Sequence, residues 1–228
     1  EVTPKEKVYH QSNPMFRNKI EEQGLKVRAG ECYKIYVGYG SGGIAIIDAN
    51  TFKILSQIKL SGHPESFQID KTQNKIFVNV PSEKLIEVID LTLNKVIEKW
   101  KMKDAHSNFP MALYEKHQRL FIGCRNSPKL LVLDSQTGKI ISNLDIDPDV
   151  DDIFYNSRTN EVFLSCGGGY INVFKQKDSN NYTAHGKIKT HQGARTCLFI
   201  NETIELIIAS PSTQGQDSQL MIYKADQN

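Results

Sequence analysis

The sequence predicts an all-β fold made of about five similar units, each forming a four-stranded antiparallel sheet. Two observations lead to this prediction. Five short apolar runs resemble one another and recur every 41–44 positions: KIYVGY, KIFVNV, RLFIGC, EVFLSC and ELIIAS. The segments between them are further β-branched or aromatic stretches, separated by Gly, Asn, Asp, Ser or Pro, with little helical periodicity.

Each unit carries its strand-like stretches in a fixed order, which we letter A to D. The A stretches are SFQID, MALYE, DIFYN and TCLFI, and the five apolar runs are the B stretches. The C stretches are GIAIID, LIEVID, LLVLD, YINVF and QLMIY, and three of them end in Asp48, Asp90 or Asp134 before a turn. The D stretches are KILSQIKL, KVIEKWKM and KIISNLDI. Four short strands repeated at this interval are typical of a β-propeller, whose blades pack side by side around a central channel.

The units resemble the YVTN-type β-propeller repeats of prokaryotes. In such repeats a strand like IYVGY or IFVNV precedes a turn, a V-I-D strand and T-G-K-V/I, and TGKII (137–141) and VIDLTLNKVI (88–97) match this pattern. The resemblance covers about residues 25–226 and implies an exported protein, periplasmic or extracellular, because many relatives of this type carry signal peptides. A WD40 propeller is disfavoured, since Trp100 is the only tryptophan.

The number of blades is left open by the sequence. Residues 24–228 are expected to form the propeller domain, and residues 1–23 a separate N-terminal segment. Four units are nearly complete and the fifth lacks its D strand, whereas propellers of this type commonly have seven blades. We therefore expect either a five-bladed ring or part of a seven-bladed one, within a larger assembly. In a five-bladed ring, KEKVYHQ (5–11) would add the closing strand, because an open blade leaves unpaired edges; otherwise the segment is a linker.

Composition narrows the class of protein. The 228 residues are 39% hydrophobic and 24% charged, as in ordinary soluble globular proteins. A net charge of +2 gives no argument for binding nucleic acid or an anionic membrane, and no apolar run approaches the roughly 18 residues of a membrane span. The four cysteines form no CxxC pair, so a zinc knuckle is not predicted and buried apolar roles are expected.

A glycine-rich stretch imitates a nucleotide site. In KIYVGYGSGGIAIID (34–48), Gly38, Gly40 and Gly43 have the G-x-G-x-x-G spacing of the dinucleotide-binding fingerprint. That site needs a helix directly after the glycines, because the helix N-terminus binds the pyrophosphate. Here the strand-like IAIID follows, so we interpret the stretch as a B–C hairpin whose glycines permit positive φ. Tyr39, at its centre, would lie at the rim of the channel.

The candidate site lies where the D–A and B–C loops surround one mouth of the channel. Counting back from the B strands places four different side chains at one repeated position: Glu65, Met111, Asp151 and Arg195. The next layer outward contains His63, Phe109, Asp149 and Gly193. A purely structural position would be expected to repeat one residue type, so this variety indicates a binding role. The predicted ligand-binding residues are His63, Glu65, Asp151, Arg195 and Tyr39.

Three interpretations of this mouth stay open at the level of sequence. One is an ion network that fastens the blades together, with Arg195 bonded to carboxylates. The second is a non-enzymatic scaffold that binds a partner protein or small polar ligand without a cofactor, since no catalytic Ser/His/Asp set is recognisable.

The third interpretation is a divalent-metal-dependent, lactonase-like hydrolase, by similarity to gluconolactonase-type propellers. A channel cation such as Ca²⁺ would polarise a lactone carbonyl and activate water. Its candidate ligands are Glu65, Asn108, Asp149 and Asp151, although Arg195 in the same ring argues against a cation.

Overall fold

The computed structural model describes residues 33–40, 42–103, 105–213, 215 and 217–224. The predicted closing strand at 5–11 and the N-terminal segment 1–23 lie outside the described residues, so the domain boundary stays a prediction. In the described part, no helix is long and apolar enough to cross a membrane.

The described strands form five antiparallel sheets, which we number blades I to V in chain order. Within each blade the strands lie side by side in sequence order. Their bounds are β1 (Lys34–Tyr39), β2 (Gly43–Asp48) and β3 (Ile54–Lys59) in blade I; β4 (Phe67–Asp70), β5 (Lys75–Val80), β6 (Leu85–Asp90) and β7 (Lys95–Lys101) in blade II; β8 (His106–Tyr114), β9 (Arg119–Asn126), β10 (Pro128–Asp134) and β11 (Ile140–Asp145) in blade III; β12 (Val150–Asn156), β13 (Glu161–Cys166), β14 (Tyr170–Gln176) and β15 (Tyr182–Lys189) in blade IV; and β16 (Thr196–Ile200), β17 (Glu205–Ser210) and β18 (Gln219–Lys224) in blade V. Two 3₁₀ turns, Pro81–Glu83 and Glu115–His117, are the helical elements of the described chain.

The inner blades bury both of their faces by the period-2 alternation of their strands. We call the face of a blade that packs on the following blade its front face, and the opposite one its back face. In the second strand of each complete blade, a phenylalanine lies on the front face, at Phe77, Phe121 and Phe163. The preceding residue of the same strand lies on the back face and packs against the previous blade.

The core consists of four apolar clusters, one between each pair of consecutive blades. The largest fully buried side chains, such as Phe77, Phe121 and Leu130, belong to these interfaces. Front faces therefore pack on back faces along the whole series, as a propeller requires. The structure confirms the predicted all-β propeller of about five blades. Among the described residues, no cluster joins blade V to blade I.

Buried polar side chains fix the connections between blades. The Glu87 carboxylate accepts hydrogen bonds from the Ser61 amide (3.2 Å) and hydroxyl (2.8 Å), and lies 2.9 Å from the Lys99 ammonium. At the same position of blade IV, the Asn172 side-chain oxygen accepts from the Asp147 amide at 2.7 Å. A carboxylate in blade II and an amide in blade IV thus bind the backbone of the preceding D–A loop at equivalent positions. In both cases the buried polar side chain has the hydrogen-bond partner that it needs.

The cysteines behave as the sequence predicts where they are described. Cys124 and Cys166 are buried, and burial raises the pKa of each thiol to about 12. Cys197 is half-buried, and Cys124 and Cys166 are free thiols. Since the thiolate is the reactive form, the two buried thiols are chemically inert at neutral pH.

Candidate functional site

The glycine-rich stretch is a β-hairpin that joins β1 to β2. Its turn closes through a hydrogen bond from the Gly42 amide to the Tyr39 carbonyl at 3.0 Å, and β2 starts at the next residue, Gly43. The residue that needs positive φ is Gly42, at +92°, which is not part of the fingerprint spacing. Gly38 instead permits a close approach, since a Cβ there would lie 3.1 Å from the Pro64 side chain.

Gly42 and Gly40 offer a matched test of this hairpin. Gly42→Ala should lower the free energy of unfolding by about 1–2 kcal/mol, because an L side chain is strained at positive φ. Gly40→Ala should be nearly neutral, since its Cβ would meet only the His63 ring, at 3.8 Å. Urea unfolding of both variants measures the difference, and equal stabilities would contradict the assigned turn.

The first group of predicted site residues lies between blades I and II. Tyr39 is half-buried, and its ring covers Gly43 of its own hairpin. Glu65 is held by a hydrogen bond from its amide to the Asn79 carbonyl, at 2.9 Å, and its side chain is 36% exposed. His63 Nε2 lies 3.8 Å from a Glu65 carboxylate oxygen, and both side chains are well exposed. These two groups therefore contact each other only loosely.

The register corrects one predicted position. Phe67 pairs with Val78, and Met111 pairs with Ile122 at the same place in blade III. The residue equivalent to Glu65 is therefore Phe109, and Met111 is a buried core residue. The sequence spacing agrees with this register, because Glu65, Phe109, Asp151 and Arg195 each lie eleven residues before the second residue of their B strand.

The second group contains an arginine that the sequence analysis did not single out. Arg125, at the end of β9, donates from Nη2 to Asp151 Oδ1 at 2.7 Å and from Nε to the Val150 carbonyl at 2.8 Å. Its guanidinium carbon lies 4.3 Å from the centre of the Phe109 ring, a cation–π arrangement. Its Nε is also 3.5 Å from Asp149 Oδ1. The sequence could have indicated Arg125, because it lies beside a B–C loop, and these loops were predicted to surround the channel mouth.

Arg195 adds the third blade to this group. Its Nη1 donates to both oxygens of Asp149, at 2.7 and 2.5 Å. These bonds raise the pKa of the Arg195 guanidinium above its ordinary value. The Ser165 hydroxyl donates to the Arg195 carbonyl and holds its backbone against blade IV. Arg125, Asp149, Asp151 and Arg195 thus form one charged cluster across blades III, IV and V, which we call the mouth cluster.

The mouth cluster is open to solvent. Its side chains are between 25% and 43% exposed, with Arg195 the most exposed. Nη1 is the nitrogen through which the Arg195 side chain bonds to other described residues. Its Nη2 and Nε form no hydrogen bond to another described residue, and the side chain as a whole is 43% exposed. Such a guanidinium can bind a carboxylate or another anionic group with two parallel hydrogen bonds.

The proposed metal ligands are not arranged as a metal site. Asp149 and Asp151 are occupied by the two arginines. Asn108 is fully buried, and its amide nitrogen donates to Asn79 Oδ1 (2.9 Å) and to the Leu85 carbonyl (3.2 Å). In the described ranges, no group of three His, Cys, Asp or Glu side chains lies close enough to hold a metal ion. The geometry thus gives the metal hypothesis no support.

Comparisons with known proteins identify the fold. No family model and no curated protein matches the sequence. Among solved structures, the chain resembles a chain of the mitotic checkpoint complex (TM-score 0.69, 11% identity, 82% of this chain and 58% of that one). It also resembles Kuenenia stuttgartiensis hydrazine synthase (0.70, 10%, 85% and 60%). A third likeness is the dihydro-heme d1 dehydrogenase NirN in complex with DHE (0.66, 11%, 90% and 45%).

These likenesses show the β-propeller fold and nothing finer, because identities near 10% carry no functional information. The chain spans between 45% and 60% of the length of these three structures.

Proposed function

We propose that this chain is a non-enzymatic propeller scaffold that binds a partner protein or a small polar ligand at its channel mouth. The observation that carries the proposal is the mouth cluster, a half-exposed set of two arginines and two aspartates beside an aromatic ring. Asp149 holds the partly exposed Arg195 guanidinium in place, and the Nε and Nη2 donors of that group bond to no other described residue. A ligand with an acidic group fits these donors.

A purely structural role explains the cluster less well. Ion pairs with this exposure contribute only about 0–1 kcal/mol to stability, because water and salt screen them. The blades are already joined by apolar clusters, including one between blades IV and V. A role in joining the blades therefore does not explain why the mouth cluster is partly exposed. Recognition of a charged partner would use both the exposure of its arginines and the way in which the aspartates hold them.

Substitution of the exposed arginine tests the proposal. The protein is immobilised and used to capture its partner from an extract of the native host. Arg195→Ala should weaken this capture at least about tenfold, because a charge-assisted hydrogen bond contributes about 1.5–3 kcal/mol. The matched control is Arg158→Ala, an exposed arginine in the A–B turn of blade IV, on the opposite face of the propeller. Capture that is unchanged by Arg195→Ala, or reduced equally by Arg158→Ala, would contradict a binding role for the mouth.

The resemblance to YVTN-type repeats supports a location for this activity. We propose that the chain belongs with these propellers and acts in the periplasm or outside the cell. Fractionation of the native host with an antibody to the propeller tests this, and recovery of the protein in the cytosol would overturn it.

The alternative function, a metal-dependent hydrolase, can be tested directly by metal analysis. Protein purified without chelators would have to contain one divalent ion per chain, lost in a Glu65→Ala, Asp151→Ala double variant. Metal analysis that finds none would remove this alternative.

A further inference from the structure

The front face of blade V carries an apolar surface that is open to solvent. Leu198 pairs with Ile207, which pairs with Ile222, so three apolar side chains lie in one row across the blade. Leu220 lies in the next row, opposite Ala209. Leu198, Ile222 and Leu220 are 52%, 64% and 71% exposed. We call these four large side chains (Leu198, Ile207, Leu220 and Ile222) the blade V patch.

The equivalent rows of the preceding blades are buried. In blade IV, Phe163 pairs with Val173 and Ser165 with Ile171, and Phe163, Val173 and Ile171 are no more than 8% exposed. The corresponding side chains are fully buried in blade III (Phe121, Val132, Leu130) and in blade II (Phe77, Val88, Ile86). In each case the back face of the following blade covers them. The blade V patch thus has the chemistry of an inter-blade interface, without a following blade.

The pattern of this surface favours a β-sheet as its occupant. Its apolar side chains stand in rows set by the strand pairing, and Glu205 and Lys224 form an ion pair (3.5 Å) across the adjacent row. An apolar stripe with a charged border is typical of a surface made for a partner rather than for solvent. Blade I is not that partner, because the three exposed side chains would then be buried.

We propose that the blade V patch is covered by the back face of a further blade of the same repeat, in the same polypeptide. Two observations select this occupant. At all four existing interfaces, the covering blade is the next one along the same chain. In addition, each of the three similar solved propellers is a single chain of which the present residues span 45–60%.

Thiol labelling at Leu220 tests this proposal. The Leu220→Cys substitution is made in two proteins: the 228-residue chain, and the protein produced from its gene in the native host. The rate of alkylation of the new cysteine is then measured in each by peptide mass spectrometry. The proposal expects fast labelling in the 228-residue chain and labelling at least about tenfold slower in the protein isolated from the host. The control, Leu93→Cys, lies in an exposed turn of blade II (56% exposed) and should label equally fast in both.

Each alternative occupant gives a different result. Equal labelling of the Leu220→Cys variant in both proteins overturns the proposal. Protection that disappears when a second polypeptide is separated from the host protein also overturns it, because the cover would then be a partner. The proposal would also be overturned if the 228-residue chain labels slowly and sedimentation shows that it is a dimer. In that case a second copy of the chain would cover the patch. These outcomes do not depend on the mouth cluster, which lies on a different surface.

Discussion

Leu130→Ala is expected to lower the free energy of unfolding by about 2–5 kcal/mol, as for other fully buried leucines whose removal leaves a cavity. The same change at the same repeat position of blade V, Leu220→Ala, is expected to cost less than about 0.5 kcal/mol. Leu130 is completely buried between blades III and IV, whereas Leu220 is 71% exposed. The residue type and the strand position are identical, so burial by the next blade accounts for the difference.

Urea unfolding of these 228 residues, followed by circular dichroism, measures both effects. The dependence of the unfolding free energy on urea concentration should stay constant, since neither change alters the fold. If the two variants lose the same stability, then the front face of blade V is covered in solution and the described exposure is wrong.

Arg119→Ala should lower the free energy of unfolding by about 2–4 kcal/mol, because it removes the charge-assisted hydrogen bonds of a largely buried guanidinium. The Arg119 side chain is only 9% exposed. It donates to the carbonyls of Ser179 (2.6 Å) and Gln118 (2.9 Å), and to the side chains of Asn180 (2.8 Å) and Asp134 (3.1 Å). It therefore joins blade III to the C–D loop of blade IV.

Two control variants separate this network from the loss of a positive charge. Arg158→Ala removes an exposed arginine and should change stability by less than about 0.5 kcal/mol. Arg119→Lys keeps the charge but not the planar set of donors, so it should recover only part of the loss. Full recovery with lysine would contradict the assigned hydrogen bonds, and hydrogen exchange at residues 178–181 would show whether the loop is released.

The fold could be predicted because it is repeated. Five similar strands at nearly constant spacing, such as KIFVNV and RLFIGC, give the same signal several times, and errors in one unit are corrected by the others. The hairpin at Gly42 was also predictable, because a strand-like IAIID follows the glycines and leaves no room for a helix. What the repeat could not reveal was the open front face of blade V, since Leu220 and Leu130 look alike in sequence.

The site was harder to predict, because it depends on how side chains pair across blades. The sequence placed Asp151 and Arg195 at equivalent positions and offered Arg195 bonded to carboxylates, which the structure shows with Asp149; it did not indicate that Arg125 bonds Asp151. The assignment of Met111 to the mouth was wrong and avoidable, because the constant spacing to the B strand already places Phe109 at that position.

The series of interfaces has a consequence for how these five blades lose their structure. Each described blade is stabilised mainly by its immediate neighbours, so unfolding can begin at an end and proceed stepwise, as in a linear array of coupled units. Among the described residues, blades I and V each pack against one neighbouring blade, whereas blades II, III and IV are supported on both faces. Local opening should therefore require the least free energy at the two ends of the series, β1–β3 and β16–β18, and the most in its middle.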